Sequence, residues 1–328
     1  MKVISPVPTG SGAFIAHKSL ELGIKDYKVI PYNPYWALVP PVISCFNDKS
    51  ADIIHAPVDY AIFSRLGRKP LISTFHGFVL DQYMQKYVTL LHRIHYCTDL
   101  RWFTLAALDK SRVVTCVSQY LAHLVREELG YKGEIRVIYN GIDINKFSPD
   151  KTTEDEKKEI KVLYCGGGSR RKGADLIQPI LDRLYKNITL IHTSGLKSGK
   201  RQGMNTRTVF SRRVKHEAMP SLYNEVDMLL FPTVREGFGL AVAEAMACGL
   251  PVIATNCSAM PELIDDNKGG FLCEIGNVDM FAEKINLLAR SHSLRREMGA
   301  YNRQKAEQKF TLDRMTREYK LLFEEVLS

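Results

Sequence analysis

No stretch of this 328-residue sequence approaches the ~20 consecutive apolar residues of a membrane-spanning helix, so no segment is expected to cross a bilayer. The opening MKVISPVPTG has no basic head followed by an apolar run, which reads against a secretory signal, and a cytoplasmic location is expected. Cysteines number seven, an odd count without a single C-x-x-C pair. Reduced thiols are expected, rather than a disulfide framework or a zinc site. Two nucleotide fingerprints are also missing. Gly10-Ser11-Gly12 is followed by Ile15 where a dinucleotide-binding G-x-G-x-x-G needs a small residue, and the glycines Gly166 to Gly168 satisfy neither that pattern nor the P-loop spacing. No tandem repeat or low-complexity tract interrupts the chain.

What is present is ordinary globular composition, 45% hydrophobic and 25% charged, with a formal net charge of +9. That excess favours phosphate-bearing ligands or an anionic surface without choosing between them. Short apolar runs alternate with longer helical patterns, the signature of parallel α/β units. KVIS (2–5), YKVI (27–30), ADIIH (51–55), PLISTF (70–75), RVVTCV (112–117) and IRVIY (135–139) read as strands, with helices over 84–108 and 118–129. A polar, charged stretch from Asp150 to Glu159 reads as a linker. The pattern restarts with strands IKVLYC (160–165), ITLIH (188–192), VDMLLF (226–231), LPVIAT (250–255) and GGFLC (269–273). Two doubly wound domains, 1–150 and 151–311, are therefore expected to face each other across a cleft, with an amphipathic helix at 312–328.

In such domains ligands sit beyond the carboxyl ends of strands, so the residues there carry the functional reading. After VDMLLF come Glu236, Gly237, Phe238 and Gly239, then a helix from Leu240 that carries Glu244 one turn in. Glycines before a helix let backbone N–H groups approach a ligand, and the positive end of the helix dipole favours phosphate. Glu244 lies in the apolar run LAVAEAMA, where an unpaired charge is expensive. Two explanations stand: a buried ion pair with an arginine or lysine, or a carboxylate kept for the vicinal hydroxyls of a ribose or sugar. After IKVLYC, three glycines lead into Arg170, Arg171 and Lys172, a second place suited to an anion, with a solvated basic turn as the alternative. His76 follows PLISTF, and Gly12 follows the first strand. The basic stretch Lys197 to Lys215 lacks the aromatic interleaving of a nucleic-acid binder, so no nucleic-acid partner is expected.

These residues together resemble the retaining family 4 glycosyltransferases of the GT-B fold. The densest match is FPTVREGFGLAVAEAMACGLPVIATNCSAMPELIDDNKGGFLCEIGN, with its E-x7-E pair at Glu236 and Glu244 and the later Pro261-Glu262. VVTCVSQYLAHLVREELG followed by IRVIYNGIDINKF extends it, and DIIHAP and ISTFHG resemble first-domain strands. The resemblance implies a UDP- or GDP-linked sugar donor and transfer, with retention, to an acceptor hydroxyl in polysaccharide, lipopolysaccharide or glycolipid synthesis. It implies that Glu244 takes the ribose hydroxyls and Glu236 those of the donor sugar. Backbone N–H groups of Gly237, Phe238 and Gly239 would line the sugar and diphosphate ahead of Leu240, and His76 would lie near the reacting sugar. Lys172, with Arg171 or Arg170, would neutralise the departing diphosphate. Gly166 and Gly167 stand where the family often has Gly-Arg, so the arginine role either passes to Arg170 or Arg171 or is missing. No Asp-x-Asp lies at a plausible diphosphate position, so neither a metal nor a cofactor is expected. An epimerase of the same fold, or a non-catalytic nucleotide-sugar binding protein, is the alternative. The acceptor would be a carbohydrate or lipid-linked, the latter bringing peripheral contact with the inner face of a membrane.

Overall fold

The structure, a computed structural model, describes residues 1–150, 159–166, 168–193, 209–211 and 214–328. Most of the expected linker, together with Gly167 and the basic residues Lys197, Lys200, Arg201, Arg207, Arg212 and Arg213, lies outside the described residues. The chain divides into two compact units: Met1–Gly141 with Thr311–Ser328, and Ile142–Phe310.

The first unit holds a parallel sheet of β1 (Val3–Pro8), β2 (Tyr27–Tyr32), β3 (Ile53–Pro57), β4 (Leu71–Phe75), β5 (Val113–Cys116) and β6 (Ile135–Val137), in the order β2-β1-β3-β4-β5-β6. Its α-helices are α1 (Gly12–Gly23), α2 (Leu90–His95), α3 (Arg101–Lys110) and α4 (Gln119–Leu129). The helix Leu312–Leu327 contributes Met315, Tyr319, Leu322 and Phe323 to the apolar cluster of this unit, against Val3, Val29, Ile53 and Ile72. Strands covered on both faces can be apolar without alternation, which is why ADIIH and PLISTF read as continuous runs.

The second unit repeats the architecture with β7 (Ile160–Tyr164), β8 (Ile188–His192), β9 (Val209–Ser211), β10 (Met228–Phe231), β11 (Val252–Thr255) and β12 (Gly270–Cys273), in the order β12-β11-β10-β7-β8-β9. Between and after them run α5 (Ala174–Leu181), α6 (Met219–Glu225), α7 (Leu240–Ala247), α8 (Met260–Leu263), α9 (Val278–Arg290) and α10 (His292–Lys309). Ile177, Ile180 and Leu181 of α5 and Phe281, Ile285 and Leu288 of α9 pack with Val162, Leu190 and Leu230 of the sheet.

Three expectations need correction. The helix read over 84–108 begins late: a 3-10 turn at Gln82–Tyr87 precedes it, and the backbone is helical from Leu90 to Lys110, with a π turn at Tyr96–Leu100 between α2 and α3. Asp81 and Thr89 each cap a new start by accepting a backbone N–H, which offers the chain an alternative to one continuous helix. The strand β9 was not anticipated, lying in the stretch read as a basic loop. The change of unit falls at Gly141, ahead of the polar stretch that suggested residue 150. Arg303 of α10 explains this, since its Nη1 donates to the carbonyls of Ile144, Phe147 and Ala247. Asn224 holds the next residues, donating to Ser148 O at 3.0 Å and accepting from Asp150 N at 3.0 Å.

Candidate active site

In the second sheet β7 is hydrogen-bonded to β8 on one side and β10 on the other, so strand order reverses between β7 and β10. The crevice beyond the carboxyl ends at such a reversal is where open α/β sheets bind ligands. The segments that follow these two strands hold Arg170–Lys172 and Glu236–Gly239. A backbone bond ties them together, Val234 N donating to Arg171 O at 3.0 Å, and the Tyr164 hydroxyl of β7 steadies the basic turn by donating to Lys172 O at 3.1 Å. Gly173 makes the approach feasible. It turns at φ +76°, and a Cβ there would lie 2.2 Å from the carbonyl oxygen of Pro232, so both conformation and space require glycine.

The approach brings Lys172 and Arg171 onto the carboxylate of Glu236. Glu236 Oε1 accepts from Lys172 Nζ and from Thr233 Oγ1 at 3.2 Å, and Arg171 Nη1 lies 3.5 Å away while donating to Arg235 O at 2.9 Å. Glu236 N donates to Ser258 Oγ at 3.1 Å. Ser258 itself adopts φ +48°, an unusual conformation for a residue with a side chain and one that clusters at functional sites. Arg170 is not part of the group: its Nε faces Asp175 at 3.4 Å and its side chain is 78% exposed. Of the two arginines, the structure places Arg171 beside Glu236.

Gly239 opens α7 at φ +102°, a backbone conformation natural to glycine, and among the described residues no side-chain cap is made at the start of the helix that Leu240 begins. Phe238 is buried with its ring 5.6 Å from that of Phe310, so only its backbone is offered to a ligand. Glu244 is buried, and each of its oxygens has a partner. His216 Nε2 lies 2.8 Å from Oε1, and the Tyr223 hydroxyl donates to Oε2 at 2.9 Å. Among the described residues no arginine or lysine pairs with Glu244, and a histidine and a phenol hold the carboxylate. The carboxylate raises the His216 pKa by accepting its N–H, against the opposing effect of burial. Burial, then the Glu244 charge, pushes the neighbouring Cys165 thiol up to about 12, so it stays protonated at neutral pH.

Gly12 and His76 belong to the first unit. Gly12 begins α1, which Ser11 caps by accepting from Phe14 N at 3.1 Å. His76 follows β4, and its Nε2 is 2.8 Å from His17 Nε2. Thr233, Ser258, His216, Tyr223 and His17 escaped sequence reasoning. The one signal was a histidine or hydroxyl residue at a strand end or in an otherwise apolar helix. Among the described residues no group of three or more His, Cys, Asp or Glu is arranged to hold a metal ion.

Two parallel-sheet, Rossmann-like units, with a basic turn and two carboxylates at a strand reversal, define a chain of the GT-B class. The comparisons name the family: residues 12–146 match the model of glycosyltransferase family 4, and residues 146–305 that of the glycosyl transferases group 1. The chain belongs to the family 4, group 1 glycosyltransferases, and it is a glycosyltransferase. It is 25% identical over 332 residues to N-acetyl-alpha-D-glucosaminyl L-malate synthase of Bacillus anthracis, covering 94% of this chain and 84% of that one. It is 26% identical over 343 residues to the capsular polysaccharide biosynthesis glycosyltransferase CapM of Staphylococcus aureus, covering 93% and 90%. Among solved structures, HepE of Anabaena in complex with UDP superposes with a TM-score of 0.77 at 19% identity, over 99% of this chain and 100% of that one.

Proposed function

We propose that this glycosyltransferase moves a sugar from a UDP- or GDP-linked donor to a hydroxyl of a carbohydrate or lipid-linked acceptor, with retention and without a metal. The observation that carries the reading is the convergence of Lys172 and Arg171 on Glu236 at the strand reversal, one helical segment from Glu244. Lys172 and Arg171 supply positive charge where a diphosphate leaves, and the uncapped start of α7 adds backbone N–H groups of Gly237, Phe238 and Gly239. As Lys172 turns to the phosphate, Glu236 Oε1 becomes available to sugar hydroxyls. Glu244 keeps a second lone pair on each oxygen for the ribose diol. His76 lies near the reacting sugar in this reading. The UDP bound to HepE and the capsular assignment of CapM support a nucleotide-sugar donor and a role in glycan synthesis.

Titration calorimetry with UDP, GDP and ADP, each bare and sugar-linked, tests the reading in the presence of a chelator. One base is expected to bind in the micromolar range, and its sugar-linked form more tightly. Silence from all of them sinks the proposal, and free epimerised sugar without a glycosylated acceptor points to the epimerase.

Peripheral contact with an anionic membrane extends the proposal. Leu90, Leu91 and Ile94 lie on one face of α2, each more than half exposed, with Arg93 beside them. The net charge of +9 has the sign that an anionic surface attracts. Among the described residues no helix is long and apolar enough to cross a membrane.

A further inference from the structure

Behind His76 the first unit buries a chain of polar groups. His76 Nε2 meets His17 Nε2 at 2.8 Å. His17 Nδ1 lies 2.6 Å from Ser5 Oγ and 2.7 Å from the Tyr27 hydroxyl, which is 2.7 Å from His55 Nδ1. His55 Nε2 is 2.6 Å from Thr74 Oγ1, which is 2.6 Å from Thr115 Oγ1. Ser5, His17, His55, Thr74 and Thr115 are fully buried, and they come from α1 and four neighbouring strands. Three histidines in one core are costly unless they specify something. At the open end, His76 Nδ1 is buried without a partner among the described residues.

Proton counting restricts the His76–His17 contact to two states. A neutral imidazole has one N–H, so between His76 Nε2 and His17 Nε2 only one atom donates. If His76 donates, His17 gives its Nδ1–H to Ser5 or Tyr27, Tyr27 gives its hydroxyl proton to His55 Nδ1, and His55 Nε2–H is given to Thr74. The single N–H at His17 Nδ1 serves one of its two neighbours, and His76 Nδ1 ends the chain as a bare lone pair. Reversing every link leaves an orphaned N–H at Nδ1 instead. Buried N–H groups without acceptors are rarer than unfilled acceptors, which selects the first state. The three rings stay neutral, because burial lowers the pKa of each, that of His76 to about 3.

We infer that His17 is a positioning residue: held by Ser5 and Tyr27, it fixes His76 as the Nε2–H tautomer and so presents Nδ1 as an acceptor for a ligand hydroxyl. The part concerning a ligand rests on the proposed function, in which His76 lies near the reacting sugar. The tautomer itself does not.

The test begins with imidazole 15N spectra of the ligand-free protein at neutral pH, where His76 is expected to show a protonated Nε2 and an unprotonated Nδ1. His17→Leu should convert this to exchange between tautomers. It should also slow release of nucleotide from the sugar-linked donor about tenfold, the worth of one lost orienting hydrogen bond, with donor KM within about twofold. His17→Gln retains a carbonyl oxygen to accept from His76 Nε2 and should restore most of the rate. Tyr27→Phe should do less harm than His17→Leu, because Ser5 still accepts from His17. A protonated Nδ1 in the native protein overturns the assignment, as does a His17→Gln protein no better than His17→Leu. A bare Nδ1 with a rate indifferent to every variant overturns the role in the reaction while leaving the tautomer in place, and donor titration reads the proposed function independently of both.

Discussion

Replacing Lys172 with alanine is expected to lower the rate of nucleotide release from the sugar-linked donor by about 10²–10³, the effect of removing one preorganised charge from a developing anion. Two losses accompany the substitution, and their sizes differ. The side chains of Lys172 and Glu236 are 22% and 14% exposed, so their ion pair is screened in part and worth roughly 1 kcal/mol to the fold. The charge that builds on a departing diphosphate is larger and less shielded, and its stabilisation is worth about 3–4 kcal/mol. The rate should therefore fall far more than the melting temperature. Lys172→Arg should recover only part of the rate, since a planar fork does not replace a compact ammonium held by a single carboxylate oxygen. Arg170→Ala serves as the control. Its guanidinium faces Asp175 in solvent, and a rate within about threefold of the native protein is expected. Single-turnover measurement beside a thermal melt separates the two effects. A Lys172→Ala protein that keeps its rate within fivefold would remove the lysine from the chemistry, and equal losses in Arg170→Ala would mean that the whole turn acts as a diffuse basic surface.

That contrast also marks how far the sequence could be read. Strands of a parallel sheet are apolar on both faces, so the runs IKVLYC and VDMLLF announced themselves, and the glycines and charges behind them could be named as strand-end residues. Their adjacency could not. β7 and β10 are neighbours because strand order reverses between them, a fact of topology that no local pattern carries. The choice between Arg170 and Arg171 had the same origin. Neighbouring residues on a single turn point in different directions, and the pairing of Arg170 with Asp175 is one turn away in α5. Helix 84–108 was overread only at its start, because its periodicity continues back through Thr89, whose hydroxyl caps a new beginning, whereas from Leu90 to Lys110 the backbone stays helical through the π turn. His17 and His55 were invisible as a pair. Each looks like a lone polar residue in an apolar element, and only the sheet order β2-β1-β3 brings Tyr27, Ser5 and His55 to adjacent strands.

Glu244→Gln should weaken binding of the nucleotide by about 1–3 kcal/mol, five- to 150-fold in Kd, while the protein folds normally. The surroundings of the carboxylate decide why. A glutamine oxygen can still accept from His216 Nε2, and its amide can donate to the Tyr223 hydroxyl, which has the carbonyl of Ala241 at 3.2 Å for its own proton. The buried shell is therefore satisfied by either side chain, and what the amide lacks is a second oxygen to receive hydroxyls. His216 supplies the internal control. Its pKa is raised above 6.5 chiefly because Glu244 accepts its N–H, so the charged pair stabilises the fold fully below pH 6.5 and loses that contribution as pH rises through the folded-state value. In Glu244→Gln the anion is gone and the titration midpoint of His216, followed by NMR, should move down toward or below 6.5. If the midpoint moves while Kd does not, the carboxylate in LAVAEAMA serves only the histidine and the ribose reading fails. If both move, a single buried anion holds His216 in the empty site and the nucleotide in the filled one. Nucleotide affinity should then depend on pH across the His216 titration, since the ribose hydroxyls and a charged imidazole draw on the same oxygens.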